Sequence, residues 1–174
     1  MLKRLSHPNI LPLLGITLEP LQLILSWMPG GNLTEYIKKH PGSDRIGLVG
    51  NLLQHPSSAD PHYQLSDVAN GLRYLHSHNV IHGDLKGVCN HSQFVLPSSL
   101  PLADQENVLV DGFGHACIAD FGLAMVTKNL DSIPSASQNL TPRWTAPEVL
   151  KEGKYSEKAD VFSFAMVMYE VHCR

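Results

Sequence analysis

His82-Gly83-Asp84-Leu85-Lys86, Glu106-Asn107-Val108-Leu109-Val110 and Asp120-Phe121-Gly122 are the stretches whose reading decides the fold. Each sets an oxygen-bearing side chain beside a short apolar run. Asp84 follows Val80-Ile81, Asn107 precedes Val108–Val110, and Asp120 follows Ala116–Ala119. Carboxylate and amide oxygens at strand ends, projecting into one cleft, are what a magnesium–phosphate site needs. Hard cations take oxygen ligands and leave their remaining positions to phosphate and water. Any one of these residues alone reads as an ordinary turn or cap residue, so the argument rests on their order and spacing.

Outward from them, Asp111-Gly112-Phe113-Gly114 reads as a β-hairpin turn. A Gly-x-Gly phosphate loop is the weaker reading there, because no helix follows it. Leu65, Val68, Ala69, Leu72 and Leu75 recur at intervals of three and four, which predicts an amphipathic helix over Leu65–His78. Ser66 is a candidate cap for it, and Asn79 stands at its end. Ile10–Thr17 and Leu21–Ser26 predict two neighbouring strands joined by a tight turn at Glu19-Pro20. Asn32 is a good N-cap for a short helix, Leu33–His40, stopped by Pro41-Gly42. Thr127–Thr141 reads as a loop, and Ala159–His172 as a second helix, apolar nearly all round and so expected to be buried.

Seven segments stand in an order that matches one known family. They are HPNILPLLGI (His7–Ile16), SWMPGGNL (Ser26–Leu33), LSDVANGLRYLHSHNVIH (Leu65–His82) with HGDLK (His82–Lys86), ENVLV (Glu106–Val110), DFG (Asp120–Gly122), RWTAPEVL (Arg143–Leu150) and YSEKADVFSF (Tyr155–Phe164). Together they resemble a eukaryotic protein kinase domain. The RWTAPE wording and the NILPLLGI strand resemble the tyrosine-kinase-like group of Ser/Thr kinases. The resemblance implies an α+β, protein-kinase-like fold with a partial β small lobe and a mostly α large lobe. Residues 1–28 would be a remnant of the small lobe and hinge, and 29–174 an incomplete large lobe, the domain being truncated at both ends.

The resemblance also implies roles, residue by residue. Asp84 would accept the proton of the substrate hydroxyl, and Lys86 would offset the charge developing on the γ-phosphate. A lysine two places after that Asp resembles the Ser/Thr-directed members. Asn107 and Asp120 would hold magnesium ions. Leu25 resembles the gatekeeper, and the Ser26–Met28 backbone would be the hinge that hydrogen-bonds adenine. Leu25, Ser26, Met28, Asn107 and Asp120 would thus bind the nucleotide. His82, Phe121 and Leu13 would stack in a hydrophobic spine, and Asp160 would anchor the catalytic loop from beneath. ATP, Mg2+ and a protein substrate are the implied cofactors and partners.

The sequence departs from the family in three ways. Gly83 stands where many members have an Arg that pairs with a phosphate on the activation loop. No Gly-rich loop, no strand lysine and no helix glutamate to pair with it occur within the 174 residues. This chain is therefore expected to be an impaired or inactive enzyme, with a catalytically inactive kinase-like binding module as the alternative. Finally, residues 49–64 and 88–105 fit neither periodicity and carry Pro56, Pro61, Pro97 and Pro101. Removing 88–105 would put Asn107 the family's five places after Asp84. Each stretch begins with Val and ends with Gln, residues whose codons match intron boundaries, so both read as retained introns or, failing that, as extruded loops.

Composition narrows the rest. The chain is 43% hydrophobic and 17% charged, which excludes a disordered, collagen-like or coiled-coil protein. A net charge of −3 gives no basic field for nucleic acid. No stretch approaches the roughly 20 apolar residues a bilayer needs. Three cysteines, Cys89, Cys117 and Cys173, fit reduced thiols in a cytoplasmic, intracellular setting. Of the ten histidines, His82 is the one assigned to the spine and the others read as surface residues, since His76 and His78, the close pair, do not share a helix face. A metal hydrolase built on His82, Asp84, His115 and Asp120 is the remaining rival.

Overall fold

The computed structural model describes residues 5–40, 61–87, 106–120, 125–126 and 142–173. Its first sheet is an antiparallel pair, β1 (Leu13–Leu18) and β2 (Leu21–Leu25), turning at a cis Glu19-Pro20 peptide. The first strand starts three residues later than the sequence predicts. The reason is competition for backbone hydrogen bonds. Leu11 N donates to Ile118 O at 2.8 Å, and Ile118 N donates to Asn9 O at 2.9 Å. Ile10 and Leu11 are thereby buried against a different strand. The pair β1–β2 leaves Leu14, Ile16, Leu18, Leu23, Ile24 and Leu25 exposed among the described residues.

The second sheet has the order β3 (Gly31–Asn32), β5 (Val108–Val110), β6 (Ala116–Ile118), all antiparallel. Asp111 makes the β5–β6 turn as expected: its Oδ1 accepts from Phe113 N and His115 N, the local bonding that favours Asp in turns. Asn32 also caps α1 (Leu33–Lys39), its Oδ1 accepting from Glu35 N at 2.7 Å. A third pair joins β4 (Val80–Ile81) to β7 (Met125–Val126).

Helix α2 spans Pro61–Ser77 and begins four residues before the predicted start. Proline is tolerated in a first helical turn, where its missing N–H has no partner to lose. The last four residues of the 49–64 stretch are therefore helical. Gln64 among them is wholly buried, donating from Nε2 to Gly114 O at 3.0 Å. The apolar face of α2 packs Leu65, Val68, Leu72 and Leu75 into one core with Ile10, Val108, Ile118 and Trp144. Asn79, with a left-handed φ of 58°, turns the chain from α2 into β4.

A smaller cluster, Ile81, Ala146, Val149, Tyr155 and Ala159, links β4 to α3 (Pro147–Glu152) and α4 (Glu157–His172). Ser156 caps α4 through Ala159 N. The expectation that this helix is buried all round is corrected. Its buried residues are Ala159, Asp160, Ser163, Val167 and Glu170, one face at helical spacing, while Val161, Phe162 and Tyr169 are exposed. Phe121, Gly122 and the Thr127–Thr141 stretch lie outside the described residues, as do nearly all of 49–64 and all of 88–105.

Candidate active site

The segment after β4 is held from below. Asp160, near the start of α4, is 1% exposed. Its Oδ2 accepts from His82 N at 2.9 Å and from His76 Nε2 at 2.8 Å, and its Oδ1 from Gly83 N at 2.9 Å. The expected anchoring of this loop by Asp160 is thus visible atom by atom. His82 is wholly buried. Its Nδ1 accepts from Asp84 N at 3.2 Å, which leaves the proton on Nε2, the atom 3.0 Å from Ala119 O. A neutral ring with both nitrogens bonded to backbone is a strut between two loops and has no lone pair left for base catalysis.

Asp84 comes next, partly buried, with Lys86 Nζ 3.0 Å from its Oδ2. Asn107 is drawn to the same place. Its Nδ2 donates to Asp84 O and lies 3.3 Å from Asp84 Oδ2, and its backbone N donates to Lys86 O at 3.4 Å. Residues 86 and 107 are therefore neighbours although the 88–105 stretch separates them in sequence. The β5–β6 ladder then sets Asp120: Val108 pairs with Ile118, and Ala119 N donates to Asn107 O at 2.8 Å. Asp120 follows directly, with a left-handed φ of 55° that is uncommon outside glycine and recurs where function constrains the backbone.

The donor set fits a hard cation on one further observation. Asn107 Oδ1 is buried and accepts no hydrogen bond among the described residues. An orphaned buried amide oxygen is costly, and a magnesium ion is a partner that takes this oxygen together with a carboxylate. Asn107 and Asp120 are the residues that would hold it. In the expected hinge, Ser26 N donates to Pro12 O and Met28 O accepts from Gly31 N. Among the described residues, the Ser26 carbonyl and the Met28 N–H hold no such bond. They leave one acceptor and one donor on the stretch expected to meet adenine. Leu25, at the end of β2, is 42% exposed.

A cavity lined by Gly83, Asp84, Trp144, Thr145, Ala146 and Tyr155 opens beside Asp84. Burial first, and then the Asp84 carboxylate, push the Tyr155 hydroxyl above its ordinary pKa. Tyr155 and His76 are site residues that sequence reasoning missed. His76 is corrected from a surface histidine to a partner of Asp160, and no residue pattern announces a contact spanning 84 positions. The hydrolase constellation does not form. His115 lies at the far end of β6 from Asp120, about 16 Å away at the rise of a strand. It bonds instead to Asp67 Oδ2 at 3.3 Å. Among the described residues, no cluster of three or more His, Cys, Asp or Glu side chains could hold a metal. No helix among them is long and apolar enough to cross a membrane.

Comparisons with known proteins give the family. The family model for protein tyrosine and serine/threonine kinases matches residues 1–88 and 102–174. The unmatched residues 89–101 fall inside the 88–105 stretch. A probable serine/threonine-protein kinase of Dictyostelium discoideum is 32% identical over 173 residues, covering 98% of this chain and 11% of its own length. Serine/threonine-protein kinase 12 of Arabidopsis thaliana is 34% identical, covering 98% of this chain and 32% of that protein. The human tyrosine-protein kinase FRK is 35% identical, with 98% and 29% covered. The chain thus spans between about a tenth and a third of these relatives. It has an α+β architecture, and it belongs to the protein tyrosine and serine/threonine kinase family.

Proposed function

We propose that this chain carries the catalytic-loop half of an ATP- and Mg2+-dependent protein Ser/Thr kinase. The observation that carries this reading is the convergence of Asp84, Lys86 and Asn107 within hydrogen-bond distance, beside Asp120. Asp84 accepts the proton of a Ser or Thr hydroxyl as that oxygen bonds to the γ-phosphorus and the bond to the ADP leaving group breaks. Lys86, two places on, offsets the charge that grows on the transferred group. Asn107 and Asp120 are the magnesium ligands, and magnesium when bound neutralises phosphate charge. Leu25 and the Ser26–Met28 backbone take the adenine. Residues 1–28 serve as small-lobe and hinge material and 29–174 as large lobe, with 49–64 and 88–105 inserted. ATP is an intracellular cosubstrate, so we place the protein in the cytoplasm.

Gly83 offers no cation to a phosphate on the 127–141 stretch, so whatever residual transfer this chain performs is unchanged by phosphatase treatment. The test of the reading is transfer of labelled γ-phosphate from ATP to a mixed Ser/Thr peptide pool by the full chain. Mg2+-dependent transfer that Asp84→Asn abolishes supports it. A folded chain that neither binds Mg-ATP nor transfers phosphate is instead a binding module.

A further inference from the structure

The antiparallel pair β1–β2 contributes no side chain to the buried core among the described residues. A two-stranded hairpin left to itself is marginal in water and needs a further strand, a helix or another sheet laid upon it. The register sets Ile16 opposite Leu23. Along β1 burial alternates, with Leu14, Ile16 and Leu18 on the exposed side. Side chains two apart share a face, so Leu25 lies on the side of Leu23. Leu14, Ile16, Leu18 and Leu23, with Leu25 at their margin, thus form one face, each between 42% and 82% exposed. The opposite face carries Gly15, Thr17, Gln22 and Ile24.

The first face is wholly aliphatic, and neither strand holds a charged residue. It presents roughly 500 Å² of apolar surface, near the top of the range for the largest patch on a monomer. A two-fold contact sets a patch against the same patch of a second copy. A charged patch would repel itself in that arrangement, whereas this neutral one does not. Two copies together bury roughly 1,000 Å², the threshold of a specific interface, and sheets stack face to face at about 10 Å. We propose that the aliphatic face of β1–β2 is the contact of a two-fold dimer of this chain, one hairpin packing sheet on sheet against its copy. The dimer is weak, of micromolar order, because its area lies at that threshold. The inference stands apart from the kinase reading, and its test needs no phosphate transfer.

Sedimentation velocity on the full chain, from about 1 to about 100 μM, brackets a micromolar constant and reads the association directly. The expected result is a mass that rises from one chain to two and no further. Leu18→Glu sets like charges together across the contact and lowers the association constant at least about tenfold, and Leu23→Glu does the same. Gln22→Glu adds the same charge on the opposite face and changes the constant less than about twofold. Far-UV circular dichroism checks that each variant is folded. Should a glutamate variant unfold, Leu18→Thr, polar but suited to a strand, takes its place and weakens association at least about threefold. A chain that stays monomeric at every concentration assigns the face to another partner and overturns the proposal. So does a dimer that Leu18→Glu and Leu23→Glu leave intact, or one that Gln22→Glu weakens as much.

Discussion

Gly71→Ala sets two known effects against each other, and the structure decides the sign. Gly71 lies within α2, where replacing glycine by alanine normally gains about 1 kcal/mol in helix propensity. Here a Cβ would stand 2.6 Å from Asn9 O, 3.1 Å from Ile118 Cδ1 and 3.3 Å from Asn9 Cβ. Ordinary contacts begin near 3.5 Å, so helix and loop must part by nearly an ångström. Asn9 cannot retreat easily. Its carbonyl accepts from Ile118 N at 2.9 Å, its Nδ2 donates to Ala116 O at 3.1 Å, and its N donates to His7 Nδ1 at 3.1 Å. Overpacking of this kind costs about 1–3 kcal/mol, and loosening one backbone hydrogen bond adds about 1 kcal/mol. The net expectation is a loss of about 1–3 kcal/mol. Urea denaturation followed by circular dichroism measures it, with Ser66→Ala on the exposed face of α2 as the propensity control. A neutral or stabilised Gly71→Ala refutes the close approach of α2 to the strand that carries Asp120.

Other expectations follow from single contacts. Asp160→Ala leaves the buried His82 amide, the part-buried Gly83 amide and His76 without their acceptor and lowers stability by about 3–5 kcal/mol, measured by the same denaturation; a loss under about 1 kcal/mol contradicts the anchoring role. Deleting 88–105 joins ends that Lys86 O and Asn107 N already hold together at 3.4 Å. Closing about 18 residues costs about 2.6 kcal/mol, so the shortened chain folds and is more stable by up to that amount, and its unfolding would argue against an insertion. Burial first, and then Asp111 and Asp67, push the Cys117 thiol up to about 11 from 9.0. The unfolded thiol ionises first, so this contribution to stability is present below pH 9 and is lost as pH rises towards about 11. Thiol labelling read by peptide mass shows exposed Cys173 reacting at pH 8 and Cys117 reacting on unfolding.

The fold class and the candidate site residues were legible in the sequence, while several contacts around them were not. Asp84, Asn107 and Asp120 stand out in the linear string as oxygen-bearing side chains at strand ends, and the structure brings Asp84 and Asn107 together. The hairpin at Asp111–Gly114 and the cap at Asn32 were legible because turn and cap chemistry is local. What failed was non-local. Ile10 and Leu11 look like the start of β1, but they spend their backbone bonds on Ile118. His76 looks like one of many surface histidines until α4 brings Asp160 beneath it. The composition of α4 suggested burial on every side, whereas its packing buries one face, and composition alone does not say which neighbours a helix meets. The start of α2 at Pro61 was hidden by reading proline as a boundary of irregular chain, although a first helical turn accepts it.

The central claim is that Asn107 and Asp120 form one magnesium–nucleotide site beside Asp84, the proton acceptor. Titration calorimetry of ATP into the full chain, with Mg2+ and then with EDTA, tests it most directly. The expected result is binding that requires Mg2+, is lost in Asp120→Asn, and persists in Asp84→Asn, because that residue handles the proton and not the metal. Equal affinity with EDTA, or an Asp120→Asn variant that binds Mg-ATP as well as the parent chain, contradicts it.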